Sequence, residues 1–103
     1  MAKYALTNRA VADLEDIWNY TYEEWSETQA NKYYTTLINT CQQLADKPTT
    51  GKPYTQIANN LLAYRIEKHI IFYQIVAKKA NTSIEVIRIL HESMDLRNRI
   101  LES

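Results

Sequence analysis

The side chains of this sequence that could carry chemistry are cationic and imidazole groups gathered in its second half. They are Arg65, Lys68, His69, Arg88, His91, Arg97 and Arg99. Arg65 and Arg88 alternate with apolar neighbours in predicted strands, so both are expected on an uncovered sheet face, where they could hold an anion beside His91. The alternative is an ordinary solvated sheet face. For His69, placed in a turn, a plain surface role is expected.

Other kinds of site are excluded by residue content. The chain has one glycine, Gly51, whereas a phosphate-binding loop needs several positions without a Cβ. Cys41, His69 and His91 lack metal-site spacing, and a structural zinc site needs four ligands. Cys41 lies on an apolar helix stripe, which indicates a buried structural cysteine. No metal and no cofactor are therefore expected.

The elements that position these residues begin with a helical hairpin. Residues 4–7 predict a short strand, and Thr7 can cap a helix over residues 8–25. Ser26 opens a capping box, which predicts a second helix that ends at Asp46. The joint is so short that the two helices must run antiparallel.

The second half of the chain has strand patterns. After an irregular connection over residues 47–61, strands are predicted over 62–66, 70–76 and 84–90, with a polar loop over 77–82. The order β-α-α-β-β-β predicts an α+β fold and a single domain over residues 1–103. In this fold an antiparallel sheet carries the N-terminal helical hairpin on one face.

Aromatic residues and the tail complete the predicted packing. Trp18, Trp25, Tyr33 and Tyr64 fall on predicted inward faces. The tail over residues 91–101 is either a frayed helix that packs Leu96 or Ile100 loosely, or a binding segment, since exposed Met and Leu beside arginine suit recognition.

Composition bounds the class of protein. The chain is 46% hydrophobic and 23% charged, which is typical of a globular protein and not of a disordered or fibrous one. No apolar run approaches the roughly 20 residues that a membrane helix needs. With a single cysteine and no secretion-signal pattern at the start, a cytoplasmic protein without membrane contact is expected.

The zero net charge conceals two opposed halves. Residues 1–46 carry three basic and seven acidic side chains, whereas residues 47–103 carry nine basic and five acidic ones. Such asymmetry commonly appears in the choice of partner.

Residues spread along nearly the whole chain form a specific pattern together with the order of the secondary-structure elements. It comprises Tyr4, Leu6, Thr7, Ala10, Asp13, Leu14, Ile17, Trp18, Tyr20, Thr21, Trp25, Gln29, Ala30, Leu44, Ala45, Pro48, Gly51, Tyr64, Arg65, Lys68, His69, Ile71, Phe72, Tyr73, Ile87, Arg88, Ile89, Leu90, His91, Met94 and Asp95. In this pattern the chain resembles the ParE toxins of the RelE/ParE superfamily of bacterial toxin–antitoxin modules.

The resemblance implies a toxin that stops growth by binding DNA gyrase, traps that enzyme with broken DNA and catalyses no reaction itself. It also implies a cognate antitoxin, encoded beside the toxin, that silences it in a hetero-oligomer. No sequence-specific contact with nucleic acid is expected.

Two contact surfaces are predicted on this basis. The target-binding surface is the basic sheet edge and tail, namely Arg65, Arg88, His91, Met94 and Arg97. The antitoxin-binding surface is the apolar seam between hairpin and sheet together with the basic tail, namely Trp18, Leu37, Arg65, Arg88, Leu96 and Arg99. An acidic, partly disordered antitoxin would suit this seam.

Two alternatives stay open. The RelE branch of the superfamily shares the implied fold but cleaves messenger RNA on the ribosome with basic side chains and, commonly, a C-terminal tyrosine or histidine. Here the last tyrosine is Tyr73, which favours the non-catalytic branch. His91, with Arg65 and Arg88 around a scissile phosphate, keeps the endoribonuclease alternative open. The other alternative is a module whose only partner is the antitoxin.

Overall fold

The structure, a computed structural model, describes residues 2–79 and 81–102. Its elements in chain order are β1 (Lys3–Leu6), α1 (Asn8–Glu24), α2 (Glu27–Asp46), a 3-10 turn (Pro48–Thr50), β2 (Lys52–Pro53), β3 (Leu62–Ile66), β4 (His69–Lys79), β5 (Thr82–His91) and α3 (Leu96–Leu101). None of the described helices is long and apolar enough to cross a membrane.

The helical hairpin begins each helix with a side-chain cap. The Thr7 hydroxyl accepts a hydrogen bond from the Ala10 amide at 3.1 Å, and the Ser26 hydroxyl accepts one from the Gln29 amide at 3.1 Å. Each cap satisfies a backbone donor that the first turn of a helix leaves unpaired. Both predicted N-caps are confirmed, but of the predicted capping box the described residues show only the bond from the Gln29 amide to Ser26.

The five strands form one sheet in the order β1-β5-β4-β3-β2. Strands β3, β4 and β5 pair antiparallel, as predicted, and the connection predicted to be irregular over residues 47–61 adds the short strand β2, antiparallel to β3. Strand β1 runs parallel to β5, so the sheet is mixed and not purely antiparallel. The α+β fold is confirmed, and the helical hairpin with three strands between β1 and β5 provides the long connection that a parallel pair requires.

Apolar clusters lie on both faces of the sheet. The hairpin packs Leu14, Leu37 and Leu44 against Ile71 and other sheet residues on one face. On the other face, Ile100 of α3 packs with Leu61, Phe72 and Leu90. The expectation of an uncovered second face is therefore wrong for the part under α3, and the tail packs through Ile100.

A register shift interrupts the pairing of β4 with β5. Phe72 pairs with Arg88 while Tyr73 pairs with Val86, which leaves Ile87 as the extra residue of a β-bulge. The bulge lies just beyond the point where β1, on the other edge of β5, stops pairing at Leu6 with Val86. Beyond that point β5 needs other partners.

Side chains at the start of helix α1 supply those partners. The Thr7 hydroxyl donates to the Ile87 carbonyl at 2.7 Å, and the Asp13 carboxylate accepts from the Ile89 amide at 3.0 Å. Side chains thus replace the missing strand along this edge, as buried backbone groups require.

The connection after α2 is anchored to β4 by one hydroxyl. Tyr73 OH accepts from the Gly51 amide at 2.8 Å and donates to the Pro48 carbonyl at 2.8 Å. A Cβ at Gly51 would lie only 2.9 Å from the Tyr73 ring carbons, so the position requires glycine.

The predicted loop over residues 77–82 is shorter in the structure. Strand β4 continues to Lys79 and β5 begins at Thr82. Ala80 lies outside the described residues.

Candidate functional site

A groove of about 600 Å³ lies between the joint of the helical hairpin and the β3–β4 turn. We name it the hairpin groove, and its lining includes Tyr20, Trp25, Lys32, Tyr33, Lys68, His69 and His91. Trp25 is 75% exposed and Tyr20 is 65% exposed, which is unusual for side chains of this size. The groove therefore combines a solvent-exposed aromatic rim with cationic and imidazole groups.

Two histidines meet on adjacent strands of the groove. His69 begins β4 and His91 ends β5, and the two are paired in register. Their ring centroids are 5.3 Å apart, with the rings nearly perpendicular at 86°. Nδ1 of His69 lies 2.7 Å from the hydroxyl of Tyr33 on α2. The expectation of a plain surface role for His69 in a turn is wrong, because this half-buried ring belongs to the sheet.

Hydrogen bonds determine which nitrogen of His91 carries the proton. The Ser93 amide donates to Nδ1 of His91 at 3.1 Å, and the Ser93 hydroxyl lies 2.7 Å from the same atom. Because Nδ1 accepts an N–H, the neutral ring carries its proton on Nε2. His91 thus offers an N–H donor at Nε2.

His69 is assigned in the same way. Burial, and to a lesser degree Glu67, raises the pKa of Tyr33 to about 12, so this hydroxyl keeps its proton. It donates to Nδ1 of His69, since its other acceptor, the Ile66 carbonyl, is 3.5 Å away. Burial, followed by the neighbouring His91, lowers the pKa of His69 to about 4. At neutral pH His69 is therefore uncharged and carries its proton on Nε2.

Arg88 is buried, contrary to the predicted exposure on an open sheet face. Its Nε and Nη2 atoms donate to the Asp13 carboxylate at 2.8 and 2.9 Å, and Nη1 donates to the Arg99 carbonyl at 2.7 Å. The hydrogen bond to Asp13 raises the pKa of Arg88, so the guanidinium stays charged. The bulge at Ile87 and the early end of β1 place this side chain under α1 and α3, where solvent and partners do not reach it.

The rest of the predicted target surface is accessible. Arg65 is exposed and forms an ion pair with Glu92, the residue after His91. Met94 is 41% exposed. Arg97 donates to the Gln56 carbonyl at 2.9 Å from an exposed position on α3. The structure thus brings Arg65 close to the end of β5, while Met94 and Arg97 follow along the tail.

The predicted antitoxin surface is only partly accessible. Trp18 is half-buried, stacks on Tyr22 at 5.2 Å and donates to the Asn31 side chain at 3.0 Å. Leu96 is half-buried and packs against the second apolar cluster, and Arg99 is exposed. Leu37 has no exposed surface. Its predicted contact with a partner is wrong for this structure, because the hairpin covers it against the sheet.

The single cysteine is buried, as its position on the apolar stripe of a helix predicted. Cys41 is fully buried in the main core. Burial raises the pKa of its thiol to about 12, which keeps it protonated and unreactive. Among the described residues, no group of three or more His, Cys, Asp and Glu side chains could hold a metal ion.

Comparison with known families identifies the kind of protein. The family model described as "ParE toxin of type II toxin-antitoxin system" matches residues 4–96. The chain belongs to the ParE toxin family. Toxin ParE1 of Caulobacter vibrioides is 34% identical over 97 residues, which cover 94% of this chain and 96% of that protein. Toxin ParE of Escherichia coli is 33% identical over 102 residues, or 99% and 96% of the two chains.

Two solved structures have the same fold as this chain. A chain of a chromosomal ParDE system from P. aeruginosa has a TM-score of 0.74 at 17% identity, and the match covers 88% of this chain and 96% of that one. A chain of the RelBE2 toxin–antitoxin complex from Mycobacterium tuberculosis has a TM-score of 0.64 at 16% identity, with 87% and 96% covered. At these identities the likeness shows the fold alone.

Several groove residues of this ParE-family chain were missed by sequence reasoning. Trp25 was expected in the core, yet it follows the end of α1 and lies at the joint, where the helical period no longer applies. Lys32 gives no signal beyond ordinary helix-surface spacing, and Tyr20 stands out only as a member of the family pattern. Tyr33 was expected to face inward, and it does, but its hydrogen bond to His69 depends on a strand far along the chain. The sequence groups Lys68, His69 and His91 in one cationic and imidazole set, but it does not place them beside the joint of the hairpin.

Proposed function

We propose that this ParE-family chain is a growth-inhibiting toxin that acts by binding DNA gyrase and is neutralised by direct binding of a cognate antitoxin. Its curated relatives are described as toxins. Its structural neighbours are described as parts of a ParDE system and of a RelBE2 toxin–antitoxin complex. Gyrase as the target is the expectation that the sequence resemblance carries, and a cytoplasmic site of action goes with that target.

The observation that favours binding over RNA cleavage is the state of the two predicted arginines. A nuclease of the predicted kind would use Arg65 and Arg88 to stabilise negative charge on a phosphate. Arg88 is instead buried against Asp13, and Arg65 is paired with Glu92. Because Arg88 is buried and paired with Asp13, it cannot reach a phosphate, whereas the Arg65 side chain is 63% exposed and stays accessible in its surface ion pair.

The proposed target surface is revised accordingly. Arg65, His91, Met94 and Arg97 remain as contact residues because they are accessible at the end of the sheet and along the tail. Arg88 acts behind them, since its bond to the Arg99 carbonyl holds α3 against β5. Its role in this proposal is to position α3.

The experiment uses purified toxin and gyrase. We expect the toxin to inhibit supercoiling and to increase gyrase-dependent DNA cleavage. The double variant Arg65→Ala/Arg97→Ala should keep the fold by circular dichroism and weaken inhibition about tenfold or more, because arginines are common hot spots of interfaces. Lys3→Ala, at an exposed lysine of β1, is the matched control. No effect of the wild-type toxin in stoichiometric excess would exclude gyrase as the target.

One specific observation favours a second candidate, the ribosome-dependent endoribonuclease. The hairpin groove is lined by His69 and His91 together with Lys32 and Lys68, and a histidine can take up a proton as a general base while lysines attract a phosphate. Primer extension on cellular messenger RNA after brief induction separates the candidates. Discrete cuts within translated regions would indicate cleavage, whereas DNA damage without cuts would indicate gyrase.

Neutralisation is tested separately. The product of the reading frame beside the toxin gene should co-purify with the toxin and restore growth when co-expressed. Trp18, Leu96, Arg65 and Arg99 are the contact residues of the predicted antitoxin surface that this structure leaves at least partly accessible. If the toxin binds this product no better than it binds an unrelated acidic peptide, the antitoxin assignment is wrong.

A further inference from the structure

The hairpin groove carries a small net positive charge. Lys32 and Lys68 contribute two positive charges and Glu67, which also lines the groove, contributes one negative charge. His69 is neutral because burial and His91 lower its pKa to about 4. Nearby, Glu92 already neutralises Arg65. A net charge of about one suits a single anionic group and not a chain of phosphates.

The surroundings of the groove also disfavour nucleic acid. Glu23, Glu24 and Glu27 are exposed on the hairpin on either side of Trp25. A polyanion that stacked its bases on Trp25 would bring its phosphates against these carboxylates. A peptide with one carboxylate brings much less negative charge near these residues and is repelled less.

The rim of the groove offers apolar surface that a peptide could cover. Trp25 and Tyr20 are 75% and 65% exposed, and large aromatic side chains of this kind are typical centres of protein contacts. An occupant with aliphatic or aromatic residues beside its carboxylate would bury this surface. The occupant should therefore carry apolar residues as well as one negative charge.

The histidines add directed donors. Nδ1 of His91 already accepts from the Ser93 amide, and Nδ1 of His69 accepts from Tyr33, so each ring carries its proton on Nε2. In the described part of the chain neither Nε2 atom has a hydrogen-bond partner. A carboxylate accepts such N–H donors through its two oxygens, and these bonds are stronger than those to a neutral acceptor.

We propose that the hairpin groove binds an acidic side chain, flanked by apolar residues, of the antitoxin. This inference rests on the proposed neutralisation by an antitoxin and identifies the chemistry of one anchor in that contact. Lys68 and the Nε2 donors hold the carboxylate, and Trp25 with Tyr20 covers the flanking residues.

The probe is the product of the reading frame beside the toxin gene, titrated onto purified toxin. Trp25 is exposed to solvent in the free toxin, so binding should shift tryptophan emission to shorter wavelength. Trp25→Phe should remove most of that shift. We expect the double variant Lys68→Gln/His91→Gln to raise the Kd about tenfold or more, since it removes the ammonium charge of Lys68 and the Nε2 donor of His91. Lys52→Gln, an exposed lysine on β2, should change the Kd less than twofold.

Substitutions in the antitoxin provide the second half of the test. Each Asp and Glu of the antitoxin is changed in turn to the corresponding amide, and one of them should lose affinity in wild-type toxin but lose little more in the Lys68→Gln toxin. Normal antitoxin binding by the groove variants would overturn the groove inference and leave neutralisation intact. Absence of binding by wild-type toxin would overturn both proposals. Tight, groove-dependent binding of a uridine 12-mer without antitoxin dependence would also overturn the inference, in favour of RNA.

Discussion

Asp13 on α1 and Arg88 on β5 form a buried bidentate pair, with hydrogen bonds of 2.8 and 2.9 Å between residues 75 positions apart. The Ile89 amide donates to the same carboxylate at 3.0 Å. One carboxylate thus satisfies a buried guanidinium and an edge amide that β1 does not reach. The pair joins the first helix of the chain to its last strand.

Removal of the carboxylate should be strongly destabilising. In Asp13→Ala, Arg88 remains buried without its counter-charge, and we expect the free energy of unfolding to fall by about 3–5 kcal/mol. Urea unfolding followed by circular dichroism measures the change. Asp16→Ala, at an exposed position of the same helix, should stay within about 0.5 kcal/mol. A loss below about 1 kcal/mol in Asp13→Ala would show that the pair is not needed for stability.

His69 should make stability depend on pH. Its pKa is about 4 in the folded chain against an ordinary value of 6.5, so as the pH falls below 6.5 the unfolded chain takes up a proton that the folded chain does not. Stability from this group is therefore present above pH 6.5 and is lost as the pH falls towards 4. Asp13 opposes the effect, whereas burial and His91 cause it.

The measurement compares wild type with His69→Gln. Between about pH 7 and pH 4.5 we expect wild type to lose about 1–2 kcal/mol more than the variant, a figure reduced for partial exposure of the ring. Asp and Glu titrate in both proteins and cancel in the comparison. Equal losses in the two proteins would contradict the lowered pKa of His69.

The short helix α3 should contribute through one side chain. Ile100 is 8% exposed in the second apolar cluster, whereas its neighbour Leu101 is 56% exposed. Ile100→Ala should lower the free energy of unfolding by about 2–4 kcal/mol, and Leu101→Ala should change it by less than about 0.5 kcal/mol. Chemical denaturation of the two variants gives the comparison. Similar effects at both positions would mean that α3 does not pack as described.

The hydroxyl of Tyr73 should anchor the connection after α2. Tyr73→Phe leaves the Gly51 amide buried without its acceptor, and we expect a loss of about 1–3 kcal/mol. Tyr20→Phe, at an exposed tyrosine, is the matched control and should be nearly neutral. Amide hydrogen exchange at Gly51 should rise in the Tyr73 variant, and unchanged protection there would argue against this anchor.

Local signals in the sequence predicted local structure correctly. Thr7 and Ser26 were identified as caps because capping depends on a few neighbouring residues. The burial of Arg88 could not be predicted in that way. Its environment depends on the bulge at Ile87, on the end of β1 at Leu6 and on the path of α1, all of which are set by contacts between distant parts of the chain.

The candidate site shows the same division. His91 was singled out from its place at the end of a strand, which the structure confirms. Its proximity to His69 follows from the register of β4 with β5. The nitrogen that carries the proton in each ring follows from the hydrogen bonds with Ser93 and Tyr33. The direction of β1 was likewise out of reach, because strand pairing across about 80 residues leaves no mark in local periodicity.

The parallel pairing of β1 with β5 has a consequence for synthesis on the ribosome. The first strand to be made has no strand neighbour until the last one, Thr82–His91, has emerged. The bonds from Thr7 to Ile87 and from Asp13 to Arg88 must form at the same late stage. A chain whose translation stops before β5 therefore cannot complete its sheet, and this domain folds only after β5 has been made.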